Sequence, residues 1–294
     1  MLAGCSQTDS EAQPQQPAAP LLQYIGAWGV KGNGPGQLDE PASIATDPTG
    51  NVYIADSRST FIHKFSPEGE ALLAFQEDAL KHPQSITVDS GGAIYVTDPV
   101  RSSVFVFLPN GDRYRIIRLR TRPSVENELS VAVGDDGLIH VLDANAGKVF
   151  TYTSRFRLAS TWPLPASAPG ARGPRGPIAI GPDGNIYVGD APSYCIIRLD
   201  RNGHFISSVD GEEKNSTKLT GEFAVSRNYV FAMDVNGLML HVLTMDGKPK
   251  LDMDLAPELG QGARLAPALA VSPRAELLVL DTPEARVLRY HINF

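Results

Sequence analysis

The sequence predicts an all-β chain: a single six-bladed β-propeller of four-stranded antiparallel blades, the last blade closed by a strand from near the N-terminus. Three observations predict it. A motif ending in aspartate returns six times at near-constant spacing. Each interval holds four short β-rich runs split by turn residues, and the last interval stops one strand short while an unclaimed strand-like segment precedes the first.

The closing aspartates Asp56, Asp98, Asp143, Asp190, Asp234 and Asp281 lie 42, 45, 47, 44 and 47 residues apart. The clearest copy runs Ser43-Ile44-Ala45-Thr46-Asp47-Pro48-Thr49-Gly50-Asn51-Val52-Tyr53-Ile54-Ala55-Asp56. Its four runs are Ser43 to Thr46, Val52 to Ala55, Phe61 to Phe65 and Ala71 to Phe75. Pro presets the first turn, and Gly and Asn tolerate the positive φ that a tight hairpin needs. The other copies keep this frame, most clearly Pro83 to Asp98 and Pro177 to Asp190. Unit six ends with its third run, Arg286 to Phe294, so Leu22 to Gly29 is expected to supply the fourth strand, with Ile25 and Trp28 covering apolar surface. Closure of that kind removes free sheet edges, which otherwise template aggregation. Helix is confined to a turn or two within Ala71 to Leu80 and Leu255 to Leu265.

Residues 1–20 stand apart from the propeller assigned to 21–294. Ser6 to Pro20 is built from Gln, Pro, Ala, Ser and acidic residues and buries too little apolar surface to fold, so it reads as a flexible tether. The preceding Leu2-Ala3-Gly4-Cys5 resembles the end of a bacterial lipoprotein signal. That resemblance implies acylation of Cys5 and, with Ser6 rather than Asp following it, an outer-membrane lipoprotein on the periplasmic or cell-surface side.

The repeat itself resembles the NHL-repeat family, whose blades read approximately Pro-x-Gly-Ile-Ala-Val-Asp followed by a Gly-Asn-Val-Tyr-Val-Ala-Asp strand. Ser43 and Ser85 stand where that family often has Gly. The resemblance implies a binding or scaffold module with protein partners at the envelope, such as a multi-protein membrane complex, held to the membrane through a lipid anchor only. A monomeric domain is expected.

Related propellers also include lyases and lactonases with a metal at the channel mouth, so an enzyme of that kind is the alternative. Counting back from each closing aspartate places Ser43, Ser85, Ser130, Pro177, Glu222 and Ala268 at the mouth, with His82 just before an innermost strand. One carboxylate and no imidazole in the ring is too little for Zn²⁺ and thin for Ca²⁺. His82 reads as a loop residue rather than a ligand. The closing aspartates read as caps that accept backbone N–H groups, because a catalytic residue is needed once and these recur six times. No Gly-x-Ser-x-Gly elbow is present. No catalytic residue, metal or cofactor is expected.

Bulk properties narrow the classes further. The 294 residues carry 27 Gly, 23 Pro and a formal net charge of -7, which suits a turn-rich domain and opposes a whole-molecule footprint for nucleic acid. No apolar stretch is long enough to span a bilayer as a helix. One face of the propeller should nevertheless gather Arg58, Arg101, Lys148, Arg175, Arg264 and Arg286 with Tyr194, and these are the expected partner-binding residues. Glutamates interleave with them, and bases would find little aromatic surface to stack on.

Overall fold

The computed structural model describes residues 19–124, 126–164, 176–190, 194–210, 218–234, 236–259 and 267–294. The chain opens with β1 (Leu22–Trp28). Blade 1 follows as β2 (Pro41–Thr46), β3 (Val52–Asp56), β4 (Ile62–Phe65) and β5 (Ala71–Phe75). Blade 2 is β6 (Ile86–Val88), β7 (Ile94–Asp98), β8 (Ser103–Phe107) and β9 (Arg113–Arg118). Blade 3 is β10 (Leu129–Val133), β11 (Ile139–Asp143), β12 (Lys148–Tyr152) and β13 (Leu158–Pro163). Blade 4 is β14 (Ile178–Ile180), β15 (Ile186–Asp190), β16 (Cys195–Leu199) and β17 (Phe205–Asp210). Blade 5 is β18 (Leu219–Val225), β19 (Tyr229–Asp234), β20 (Met239–Thr244) and β21 (Pro249–Asp254), followed by the single helical turn α1 (Ala256–Leu259). Blade 6 combines β22 (Ala268–Ser272), β23 (Glu276–Asp281) and β24 (Arg286–Ile292) with β1, in the order β1-β24-β23-β22. All neighbouring strands within a blade pair antiparallel. Of the two expected helical segments, only the second forms a turn; Ala71–Phe75 is strand.

The hairpins explain why the repeat carries Asp before its Gly. Asp47 Oδ1 accepts the N–H groups of Thr49 at 2.9 Å and Asn51 at 3.0 Å, and the Tyr53 hydroxyl donates to its Oδ2 at 3.2 Å. Those bonds hold the Asp47 carboxyl below its usual range although burial acts the other way. Tyr95 repeats the bond to Asp89 at 3.0 Å, and Tyr187 to Asp183 at 2.9 Å. Each turn thus satisfies its own backbone and ties the second strand of the blade to it.

Blades pack face to face around the ring. The apolar core accordingly falls into clusters at the blade junctions, such as Tyr53, Ile86, Ile94 and Phe105 between blades 1 and 2, or Leu22, Phe231, Leu240 and Leu288 between blades 5 and 6. The second strands are buried on both faces, so β3, β7, β11 and β15 are buried along their whole length. They read as continuous apolar runs rather than alternating ones for that reason.

Ring closure follows the expected pairing, with one correction. Leu22 pairs with Ile292 and Trp28 with Val287, but the register skips between Tyr24 and Gly26. Ile25 is the extra residue of that bulge and is 42% exposed, so Leu22, 2% exposed, supplies the buried anchor instead. Trp28 packs against Phe65 of blade 1 with ring centroids 4.8 Å apart.

Trp28 also shows how three of the blades grip the next. It lies over Gly69, in the turn between β4 and β5. Phe75 lies over Gly111 in blade 2, and Trp162 over Gly203 in blade 4. All three glycines have positive φ, and a Cβ at Gly203 would sit 2.6 Å from the Trp162 ring. Gly203→Ala should therefore lower stability by about 1 kcal/mol or more from φ strain alone, with the steric clash in addition. Gly147→Ala, at φ 61 with open space around it, carries the strain without the clash. Thermal melts should show the larger loss for Gly203→Ala; equal losses would refute the interlock.

Candidate functional site

Two faces flank the central channel. The loop face carries the connections into each blade and the turns between second and third strands, while the turn face carries the tight hairpins. The innermost strands line the channel between them, around a cavity of ≈ 290 Å³. Its mouth on the loop face is a second cavity of ≈ 300 Å³.

Serines build the loop-face mouth for a reason visible in their partners. Ser43 Oγ accepts the N–H of Ile86 in blade 2 at 3.2 Å. Ser85 Oγ lies 3.3 Å from Ser130 Oγ and accepts the Val131 N–H at 3.4 Å. Ser130 Oγ accepts the Ile178 N–H of blade 4 at 3.0 Å. Each hydroxyl stitches its innermost strand to the next, which glycine cannot do. These serines line the mouth with Pro177, Glu222 and Ala268, as counted from the sequence. His82 is half-buried and does not line the cavity.

Five lining residues escape that count, and two of them, Gln84 and Glu128, bring polar side chains. Gln84 Oε1 accepts the Leu129 N–H at 2.8 Å, another stitch between blades 2 and 3. Both residues stand just ahead of mouth serines in the repeat, Gln84 before Ser85 and Glu128 two before Ser130, and reading a wider window than one position per blade finds them. Glu128 matters most. Burial first, and then the charge of Glu128, push the Glu222 carboxyl up to about 7. The mouth therefore holds one carboxyl that exchanges its proton near neutrality beside a second acid, a pair able to hold a cation or to trade a proton with a bound molecule. The donor set remains two carboxylates, an amide and hydroxyls, without an imidazole.

Four of the closing aspartates, Asp56, Asp98, Asp143 and Asp234, act as caps on the same face, whereas the buried Asp190 carboxyl accepts no hydrogen bond among the described residues. Asp56 accepts N–H groups from Asp39 at 2.6 Å, Glu40 at 3.2 Å and Ser59 at 3.0 Å, and Asp98 accepts from Lys81 at 2.7 Å. Asp234 Oδ1 takes the Leu238 and Met239 N–H groups at 3.0 Å. Asp281 departs from the pattern: its buried carboxylate pairs with Arg286 Nε at 2.9 Å. Arg286 also donates to the Glu258 carbonyl in α1, so its guanidinium is engaged within the fold.

The other basic residues on this face are freer. Arg101 and Lys148 are exposed, and Arg58 is exposed while pairing with Glu40 at 3.0 Å. Tyr194 is 40% exposed with the Lys218 ammonium 5.0 Å from its ring centroid. Cys5, Arg175 and Arg264 lie outside the described residues. Among the described residues no group of three or more His, Cys, Asp or Glu side chains is placed to hold a metal ion.

With this geometry in place, comparison with known proteins identifies the architecture. The β-propeller repeat family SBBP matches residues 22–55, from the closing strand through the second strand of blade 1. No curated protein matches the sequence. Among solved structures, a streptogramin B lyase is 14% identical, with 92% of this chain and 97% of that chain covered at a TM-score of 0.64. A catalytically inactive virginiamycin B lyase from Staphylococcus aureus, solved with quinupristin, is also 14% identical, covering 86% and 80% at 0.63. A protein of unknown function from Bacteroides caccae is 12% identical, covering 75% and 83% at 0.58. At these identities the likeness is one of fold. The chain is a six-bladed β-propeller.

The Glu222 carboxyl has a signed consequence for stability. Its folded value, about 7, lies above the ordinary 4.5, so folding is linked to holding its proton. That contribution is complete below pH 4.5 and is lost as pH rises through 7, to a limit of roughly 3 kcal/mol. Glu222→Gln should leave the melting temperature nearly unchanged at pH 4 and raise it at pH 8 relative to the parent. An equal loss at both pH values would show that the carboxyl is not held protonated.

Proposed function

We propose that this chain is an NHL-type propeller serving as a non-catalytic binding or scaffold module at a bacterial envelope, tethered through acylated Cys5. Its partner is a protein, engaged by the loop face. The observation that carries the reading is the contrast between the two faces. On the turn face the hairpins 47–51, 89–93, 134–138 and 181–185 of blades 1 to 4 share one length, and those of blades 5 and 6, 226–228 and 273–275, share a shorter one. On the loop face the connections 29–40, 76–85, 119–128, 164–177, 211–218 and 255–267 differ in length and in residue type. A rigid ring that repeats its strands and varies its loops on one side is built to display a specific surface. On the same face Arg58 and Arg101 stand exposed in the turns between second and third strands, and Lys148 at the start of β12.

The second reading, a metal-dependent lyase or lactonase-like enzyme, is favoured by the Glu128 and Glu222 pair, because a carboxyl near 7 suits proton transfer at neutral pH. Metal analysis of the purified protein separates the two, since stoichiometric tightly bound Zn²⁺ or Ca²⁺ supports the enzyme.

Charge reversal of Arg58, Arg101 and Lys148 together should weaken capture of envelope proteins from native membranes at least tenfold and leave the melt unchanged. Single changes at an exposed rim are too small for this purpose. Reversal of Arg157 and Lys250, on the turn face, should leave capture intact; the opposite pattern would place the binding surface on the wrong side. The anchor is tested separately by expressing the gene with its own start and labelling with fatty acid, which Cys5→Ser should abolish. Labelling that survives the change would remove the anchor from the account.

A further inference from the structure

The channel has a second mouth, and it is the larger one. On the turn face a cavity of ≈ 690 Å³ opens among the hairpins of the blades. This volume lies within the range of small-molecule sites, against ≈ 300 Å³ on the loop face. Its floor is apolar. Val88, Val133, Val225 and Val271 stand at the outlet ends of four innermost strands, each half-buried and facing the cavity. Phe294 adds an aromatic wall, 64% exposed, its ring parallel to that of Tyr229 at 6.2 Å.

The charges around this floor are sorted by side. Asp47, Asp89 and Asp135 come from blades 1, 2 and 3 in succession. Asp47 is offset by Lys64 at 3.8 Å. Asp89 is fixed by the N–H groups of Gly91 and Ala93, both at 2.9 Å, and has no cation paired to it among the described residues. Asp135 is exposed and makes no hydrogen bond or ion pair among them. Arg227, in the hairpin of blade 5, is the cation of the lining, likewise exposed and without a partner among the described residues. In a ring of six, blade 5 stands opposite blade 2, so Arg227 and Asp89 line the cavity from opposite blades.

We propose that this mouth is a binding site for a compact zwitterion with an apolar body, such as a short apolar peptide with free termini. Its apolar side chains cover the valine floor and the Phe294 face. Its carboxylate takes the planar fork of the Arg227 guanidinium, which suits bidentate pairing. Its ammonium group lies toward the acidic arc of Asp89 and Asp135. Neither charge alone specifies the ligand; the opposition of the two across an apolar floor does. The site is independent of the loop-face reading, because none of its residues lies on that face.

Calorimetric titration of the intact protein with the tripeptide leucyl-alanyl-leucine tests it, alongside the N-acetylated and C-amidated forms. Saturable binding of the free tripeptide is expected, with each capped form at least tenfold weaker. Arg227→Ala should weaken the free tripeptide tenfold or more and leave the amide unchanged, because the amide has already lost the group that Arg227 holds. Lys250→Ala, on the exposed outer strand of blade 5 and outside the lining, should leave the affinity as it is. Absence of saturable binding by the free tripeptide would overturn the proposal, and so would an amide that binds as tightly as the acid. The capped peptides keep the test valid even if a variant fails to fold.

Discussion

The pairing of β1 with β24 is the interaction on which the rest of the molecule depends. The innermost strands are held together around the channel, but the outermost strand of blade 6 comes from the far end of the chain. Without it β24 would present a row of unpaired backbone groups, and Leu22 would leave the junction between blades 5 and 6. The same strand delivers Trp28 to Phe65 and to the Gly69 turn of blade 1. One strand therefore completes a sheet, fills a blade junction and locks the first blade to the last.

A closed ring also turns local hydrogen bonds into circumferential ones. Ser43, Ser85 and Ser130 pass from blade to blade at the loop-face mouth, and Thr97 Oγ1 donates to the Leu129 carbonyl at 3.0 Å. Thr46 and Thr282 bridge blades 1 and 6, donating to the Val271 and Pro41 carbonyls at 3.2 and 2.8 Å. These bonds fix the width of the channel and hence the separation of the groups at its two ends. At one end burial and the charge of Glu128 raise the proton affinity of Glu222; at the other, Arg227 and the acidic arc stand apart over an apolar floor. The two mouths of one channel have opposite chemistry because different segments of the repeat build them.

The architecture was legible because its determinants are local and repeated. Six closing aspartates set the period, Asp-x-x-Gly marked the first turn of blades 1 and 2 and Gly-x-Asp-Gly that of blades 3 and 4, and the shortfall of one strand in unit six pointed to Leu22 to Gly29. What escaped was tertiary. Nothing in Tyr24-Ile25-Gly26 announces a bulge, so Ile25 was assigned to a face from which the skipped register removes it. Gly69, Gly111 and Gly203 read as ordinary turn residues, yet an aromatic ring from the preceding blade lies on each. The mouth was half legible: the serines and Glu222 fall at the counted position, whereas Gln84 and Glu128 reach it from outside the strand. Arg286 looked like a free rim cation because its partners, Asp281 and the Glu258 carbonyl, come together only in the folded ring.

Hydrogen exchange resolved by residue tests ring closure most directly, because the slowest amides of a closed ring open only when the whole ring does. The account predicts that amides of Leu22–Trp28 engaged with β24 exchange as slowly as those of β23 and β24, with the same denaturant dependence. Rapid exchange throughout Leu22–Trp28 beside a protected β24 would contradict it, since the ring would then be held without its closing strand.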